Sequence, residues 1–507
     1  MSDTSTSTTA TVTEEVPFVQ RVRANPQPAL VWGVVLIALL ALQIGAIASV
    51  TVMALSGLTG SIAGVANGLL GGPVLPSVGS AIAGSLNAAA GAADSLPSLL
   101  SRNFIPNQGY QTPNGAWHGT FLGLEPMLAW LIRVVLVYTY MFVLLWWIWR
   151  GFDTYVNAYR LADWTPRDDM VRRMRTHRWG QFGLVIVLLF VGMAIFAPTI
   201  SPATAEQNIY EMTSHQIEYY DADDGEVDEI SVLNANLASA SQGAGSTNIG
   251  FWQYDEYDRF HPFGTLSNPG ADLFTFMAYG ARLSLVIGLL AVSISGVMAA
   301  GFGMLTAYYK GAIDLSVVLV SDSIQSLPGI LLLILVSVVF QSHWLGQIYN
   351  GGFVIAVAFG VIYWPSLWRS IRGPAFQVSE QEWVDAAKSY GQRSTTTMRK
   401  HMLPYILGYL LIYGSMTIGG IIIGVAALSY LGLGINPPTP EWGRAIAAGQ
   451  DYVTGPAWHM ALIPGVLIVI VVTGFNALGD GIRDVLDPES EGEDSANEAA
   501  AAAGGGA

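Results

Sequence analysis

Residues 281–307 read ARLSLVIGLLAVSISGVMAAGFGMLTA, with Arg282 their one charged residue. A helix needs about 20 mostly apolar residues to cross hydrocarbon, and in the bilayer only a helix or a closed barrel satisfies its own backbone. The apolar residues here run continuously rather than alternating, which favours a helix over a barrel strand. Seven more stretches read the same way: about 30–55, 125–149, 180–199, 314–340, 352–371, 405–431 and 460–480. The fold class is therefore an all-α integral membrane protein of about eight transmembrane helices.

Composition agrees. Of 507 residues, 52% are hydrophobic and 12% charged, with a mean hydropathy of +0.45. Soluble domains carry about 25% charged residues, so a soluble multi-domain enzyme and a disordered chain are both excluded. Acids outnumber bases 37 to 22, for a net charge of −15. That balance argues against nucleic acid as a partner. The bases include only three lysines, Lys310, Lys388 and Lys400; an acidic, lysine-poor chain fits a host with a high-salt interior. No cysteine is present, which rules out disulfides, thiolate metal sites and a cysteine nucleophile.

Positive charge orients the spans. The loop from Arg150 to Arg178 holds seven arginines, whereas 200–262 holds twelve acids and only Arg259. The first is expected inside and the second outside. Alternation then puts Lys310, the 372–404 loop and both termini in the cytoplasm. The Ser/Thr-rich head has no basic stretch or nearby cleavage site, so the first span is expected to stay attached. The head and the tail after Pro488 have disordered composition. Residues 56–100 are rich in Ala, Gly and Ser; Ile82, Leu86 and Leu96 fit either an amphipathic helix at the outer surface or a loosely ordered external segment.

The most informative polar stretch is VSEQEWVDAAKSYGQRSTTTMRKHMLPY, 378–405. Ser379 and Glu382 have capping-box spacing, so a helix is expected to begin at Ser379. Gly391 suits its C-terminal cap. A second short helix is expected from about Ser394, stopping before Pro404. Ala386, Ala387 and Gly391 are small enough for another surface to approach, while Trp383, Val384 and Tyr390 offer apolar anchors.

The order Glu382, Ala386, Ala387, Gly391, Leu403, Pro404 resembles the "EAA" loop of ABC importer permeases. His401-Met-Leu-Pro is similar to the "RH-x-LP" ending of dipeptide, oligopeptide and nickel importers, with Lys400 in place of Arg. LSYLGLGINPPTPEWGRAI (428–446) and GFNALGDGIRDVLDPE (474–489) resemble segments of the second, C-type, subunit of that class. HPFGTLSNPGADLFTFMAYGARLSL (261–285) resembles its entry segment but departs at Leu266, Ala271 and Thr275-Phe276. The likeness covers about 180–488. It implies a six-helix permease core plus an N-terminal two-helix extension. It also implies a homologous B-type permease, two ABC ATPase subunits and an extracellular substrate-binding protein as partners. Peptides are the default cargo.

On this reading 1–25 is a disordered cytoplasmic head, and 26–178 a two-span extension with its Ala/Gly-rich external segment and Arg-rich loop. The first core span and acidic external loop are 179–262. The permease domain is 263–487 with a coupling loop at 376–404, and 488–507 is a disordered tail. The resemblance makes Glu382, Trp383, Ala386, Ala387, Gly391, His401, Leu403 and Pro404 the contact for the ATPase.

The only Lys-Ser/Thr pair, Lys388-Ser389, follows Ala387 where a P-loop needs glycine. No cofactor is expected on this chain; ATP would be used by partner subunits. The seven histidines are scattered without ligand spacing, and DADDGEVDE (221–229) lacks the EF-hand ligand order, which favours a solvated acidic loop. No catalytic set assembles, so an enzyme is not expected. An ATP-independent carrier or channel would not need the 379–404 loop. Asp322, buried in an apolar run, should face protein or water. With Ser323, Gln325, Ser326 and Pro328 it marks either a translocation path or a helix-packing polar cluster. Pro365 and Pro464 are expected kinks, and Trp146, Trp147 and Trp149 an interfacial belt.

Overall fold

The structure is a computed structural model and describes residues 17–44, 100–162, 164–242 and 248–486. The expectations for the head before residue 17, the 56–99 segment and the tail from 487 lie outside the described residues.

Helix α1 (Phe18–Ala24) meets α2 (Gln27–Leu42) at 95°. The expected disordered head is therefore wrong from Phe18 onward. FVQRVRA has one apolar face, and Phe18 sets it against Tyr155 and Tyr159, while the Tyr159 hydroxyl donates to Asn25 O at 2.7 Å. Next come α3 (Pro126–Ala158), α4 (Pro166–Thr176) and α5 (Arg178–Ile195). Thr165 and Asp168 close a capping box on α4.

The described residues between α5 and the next span form more than a bare acidic loop. Strands β1 (Gln216–Asp221) and β2 (Glu226–Ser231) pair antiparallel, and the DADDGEVDE run is the exposed end of this hairpin. Gly225 at its turn has φ +72°, a conformation glycine takes without steric cost.

The core follows. Helix α6 (Leu273–Tyr309) is longer at both ends than the expected span. Asp272 caps it, accepting from Thr275 N at 2.7 Å. The span expected at 314–340 is two helices, α7 (Gly311–Gln325) and α8 (Gly329–Phe340), crossing at 78°. Pro328 sits at the break, where its missing N–H cannot continue α7. Then come α9 (Gly352–Ser379, containing Pro365 and Pro374), α10 (Glu382–Ser389), α11 (Ser394–Thr397), α12 (Leu403–Tyr430), α13 (Trp442–Gly449) and α14 (His459–Leu486, containing Pro464). Among the described residues, six helices are long and apolar enough to cross a membrane, or up to eight if each bent pair is one span.

Packing rests on glycine and one tryptophan. A Cβ on Gly183 would meet Leu478 N at 2.3 Å, and one on Gly180 would meet Gly481 Cα at 2.8 Å. Hence α5 and α14 touch backbone to backbone, as small residues permit between membrane helices. Trp442 is fully buried, donates to Met277 O at 2.8 Å, and fills space left by Gly280, whose Cβ would sit 2.8 Å from the indole. Leu266, Ala271 and Phe276, the departures from the entry segment, pack in the same apolar core, while the Thr275 hydroxyl donates to Asp272 at 2.7 Å.

Helix α3 is fastened to this core through carbonyls. The wholly buried Arg133 donates to Ile105 O and Ser201 O, both at 2.8 Å, and Trp130 donates to Ile200 O at 2.8 Å. Arg102 donates to Pro202 O at 2.8 Å. The bonds to Ile200, Ser201 and Pro202 satisfy carbonyls at and just after the end of the short helix Ala197–Ile200, which have no partner within it.

Candidate docking loop and translocation face

The stretch 380–402 forms a two-helix hairpin, built differently from its expected form in two places. Ser379 is no cap: α9 runs through it, its hydroxyl bonds Phe376 O at 2.8 Å, and α10 starts after Gln381 with no side-chain cap. Serine at the end of one helix bonds its own preceding turn, which spacing alone cannot reveal. Nor does the second helix stop before Pro404. A wide turn of π type at Met398–Met402 leads straight into α12 with Pro404 in its first turn. There the missing N–H deletes no helical bond.

Gly391 closes α10 as expected. Its φ is +75°, its N–H donates to Lys388 O at 2.9 Å, and Gln392 N donates to Ala387 O at 3.0 Å. This is the paired 6→1 and 5→2 arrangement of a Schellman end. Val384, Met398 and Met402 turn inward and are buried. Tyr309 donates to Ser394 at 3.0 Å, Lys310 pairs with Glu380 at 2.8 Å, and the Lys388 ammonium lies 5.1 Å from the Tyr308 ring centre. The inner side is thus fixed to the ends of α6 and α9.

The outer side is bare. Glu382 and Ala386 are exposed and Ala387 is half-buried; nothing lies within 4 Å of a Cβ on Gly391. Tyr390 is 92% exposed. Trp383 stacks on Tyr405 with ring centres 5.7 Å apart and keeps its outer edge in solvent. His401 and Leu403 are half-buried and Pro404 exposed, at the base of the hairpin. A small-residue patch flanked by two aromatics suits close packing against another protein.

The second group sits in the α7–α8 break. Asp322, Ser323, Gln325, Ser326 and Pro328 are all exposed in this chain. Ser323 and Ser326 satisfy their hydroxyls locally, on Leu319 O and Ser323 O, each at 2.7 Å. Asp322 pairs with Arg369 on α9, both about half-exposed. It lies roughly 17 Å along α7 from Gly311 at 1.5 Å per residue. A charged pair at that depth, uncovered by its own chain, needs water or a protein partner opposite it.

A second pair went unread in the sequence. Arg372 grips Asp314 with two bonds, Nε to Oδ1 at 3.0 Å and Nη2 to Oδ2 at 2.5 Å, and lies 4.9 Å from the Phe376 ring centre. The signal available was the shared three-residue step from Arg369 to Arg372, which puts both on one face of α9.

A buried charge cluster precedes α6, also unread. Asp255 accepts from Arg259 Nε at 2.6 Å and lies 3.3 Å from His261 Nε2, while His261 Nδ1 is 2.9 Å from Asp272. Burial opposes charge on His261, but the hydrogen bonds to both aspartates outweigh it and raise its pKa. Burial likewise pushes Asp255 up, yet Arg259 and His261 hold it below the ordinary range. Glu441, wholly buried, caps α13 by accepting from Gly443 N at 2.6 Å and Arg444 N at 3.2 Å. Burial pushes its carboxyl up to about 7 against these bonds and the Ser429 hydroxyl.

Residues 299–491 match the family described as binding-protein-dependent transport system inner membrane component. Residues 165–216 match the N-terminal TM domain of oligopeptide transport permease C. Among relatives, the glutathione transport system permease protein GsiD of Escherichia coli O157:H7 and that of Shigella boydii serotype 4 (strain Sb227) are each 32% identical over 329 residues. Those alignments cover 65% of this chain and 92% of each relative.

Proposed function

The chain belongs to the family of binding-protein-dependent transport system inner membrane components, and on that premise we propose that it is the C-type half of an importer whose motor lies on other chains. It is a multi-pass inner-membrane permease component of peptide-class ABC import. Beyond this, our reading pairs it with a homologous B-type permease, two ATPase subunits and an external binding protein. The termini and the 380–402 hairpin face the cytoplasm, following the arginine-rich 150–178 loop.

The observation that carries the reading is the hairpin: anchored on its inner side, bare on its outer side, in a chain with no P-loop. Glu382, Trp383, Ala386, Ala387 and Gly391 form the seat for an ATPase subunit, with His401, Leu403 and Pro404 as the joint that passes movement into α12. Closure of the ATPases would bind the two transport states unequally and so shift the spans between them. Asp322, Ser323, Gln325, Ser326 and Pro328, with Arg369, line this chain's half of the path. This chain would hold no cofactor; ATP would be hydrolysed by its partners. A peptide-like solute fits the relatives, which are glutathione permeases.

The test is solute uptake into vesicles holding the purified complex, with and without ATP and with each partner omitted. ATP-dependent uptake that needs the ATPases and the binding protein is expected. Uptake by this chain alone, without a nucleotide-hydrolysing partner, would overturn the reading.

A further inference from the structure

Between α3 and α5 lies an open apolar groove of about 590 Å³. Val135, Tyr138, Phe142, Val143 and Trp146 of α3 and Leu189 of α5 line it. From Val134 to Trp146 it spans about 18 Å of helix at 1.5 Å per residue. Half the hydrocarbon core is about 15 Å, so the groove is long enough to take an acyl chain across one leaflet.

Its Trp146 end carries charge. The Arg150 guanidinium lies 5.8 Å from the Trp146 ring centre, and that of Arg175 lies 5.7 Å from Trp149. Arg178 is the first residue of α5. All three are exposed, and none has a carboxylate partner among the described residues, unlike Arg160 on Asp168 and Arg172 on Asp169. The stacked, exposed pair Trp179–Phe182 marks this level as interfacial. Helix α2 does not fill the groove. It packs on a different face of α3, where Trp32 and Trp147 each donate to the other's carbonyl at 3.0 Å and Tyr140 donates to Leu39 O at 3.1 Å.

We propose that the groove seats one acyl chain of an anionic phospholipid, with the headgroup phosphate held by Arg150, Arg175 and Arg178. The shape selects a lipid tail, and the unpaired guanidiniums, which bind phosphate through paired N–H donors, select a negative headgroup. This rests on the orientation given under Proposed function, which assigns the lipid to the cytoplasmic leaflet. The lipid would brace α3 against α5.

The experiment puts the full chain, purified with its partners, into phosphatidylcholine vesicles with trace spin-labelled phosphatidylglycerol or spin-labelled phosphatidylcholine. The motionally restricted fraction of each is read. A preference for phosphatidylglycerol is expected. R150Q/R175Q/R178Q should weaken that preference by up to about a hundredfold, at roughly fivefold per arginine near the surface. The corresponding triple lysine variant, which keeps the charge but not the paired donors, should retain part of it. Val143→Trp, which fills the groove, should remove the tight component for both lipids. Equal retention of the two lipids by the unaltered chain, or an unchanged preference in the glutamine variant, would overturn the proposal. So would a cross-link from Val143→Cys to a protein segment instead of lipid. Labelling of Arg178→Cys from outside intact cells would place the failure on the orientation, because the lipid preference is read independently of it.

Discussion

Gly391→Trp separates docking from folding. Gly391 has φ +75°, so any side chain there incurs the left-handed penalty of about 1–2 kcal/mol. Nothing lies within 4 Å of its Cβ and the residue is exposed, so a side chain there leaves the backbone into open space. Gly391→Ala and Gly391→Trp should therefore unfold within a few degrees of each other when the chain is heated in detergent. Against an ATPase the two differ. An indole wedged into a packed contact costs about 1–3 kcal/mol, or roughly 5- to 150-fold in affinity. The assay is ATPase-subunit binding to the purified chain beside ATP-driven uptake in vesicles. Gly391→Trp should lose both by that factor, and Gly391→Ala should keep most of each. Uptake by Gly391→Trp at the unaltered rate would refute the docking argument. Equal loss in both variants would refute it too, by moving the cause to the backbone.

Three further outcomes are expected. Asp314→Ala should cost about 1–2 kcal/mol in detergent melting and Asp322→Ala under about 1, because the first breaks a two-bond, better-covered pair and the second a half-exposed one. Glu441 has a raised folded pKa, so the folded state holds a proton between about 4.5 and 7 that the unfolded chain releases. Stability should thus fall as pH rises through that window, by at most about 3 kcal/mol, and Glu441→Gln should flatten the melting profile. His261 has a folded pKa above its ordinary 6.5, so its contribution is complete below 6.5 and fades as pH climbs through the raised value. His261→Gln should lower the melting temperature at pH 6 and abolish the alkaline decline, as followed by circular dichroism.

What was legible in the sequence was local. Continuous apolar runs located the spans, because crossing hydrocarbon imposes one length and one polarity on each. Gly391 was legible because only glycine takes its backbone angle cheaply. What failed to read was mostly relational. Asp314 and Arg372 are 58 residues apart and meet only once α7 lies on α9. Ser379 and Glu382 satisfy a capping pattern that the continuing α9 overrides. Leu266, Ala271 and Phe276 look like lost polar contacts until the core around Trp442 accounts for them. The charge cluster joins Asp255, Arg259 and His261 to Asp272 across a turn, so its spacing carried no helix or strand periodicity to notice.

The glycine seam between α5 and α14 limits which parts of the chain can move. Two rods whose main chains interlock at Gly180, Gly183, Gly474 and Gly481 cannot slide past each other without collision. They must travel as a single beam. The elbow at Ser326–Pro328 is not locked in this way: one arm ends there, another starts at a steep angle, and the ion pair beside it is half-exposed.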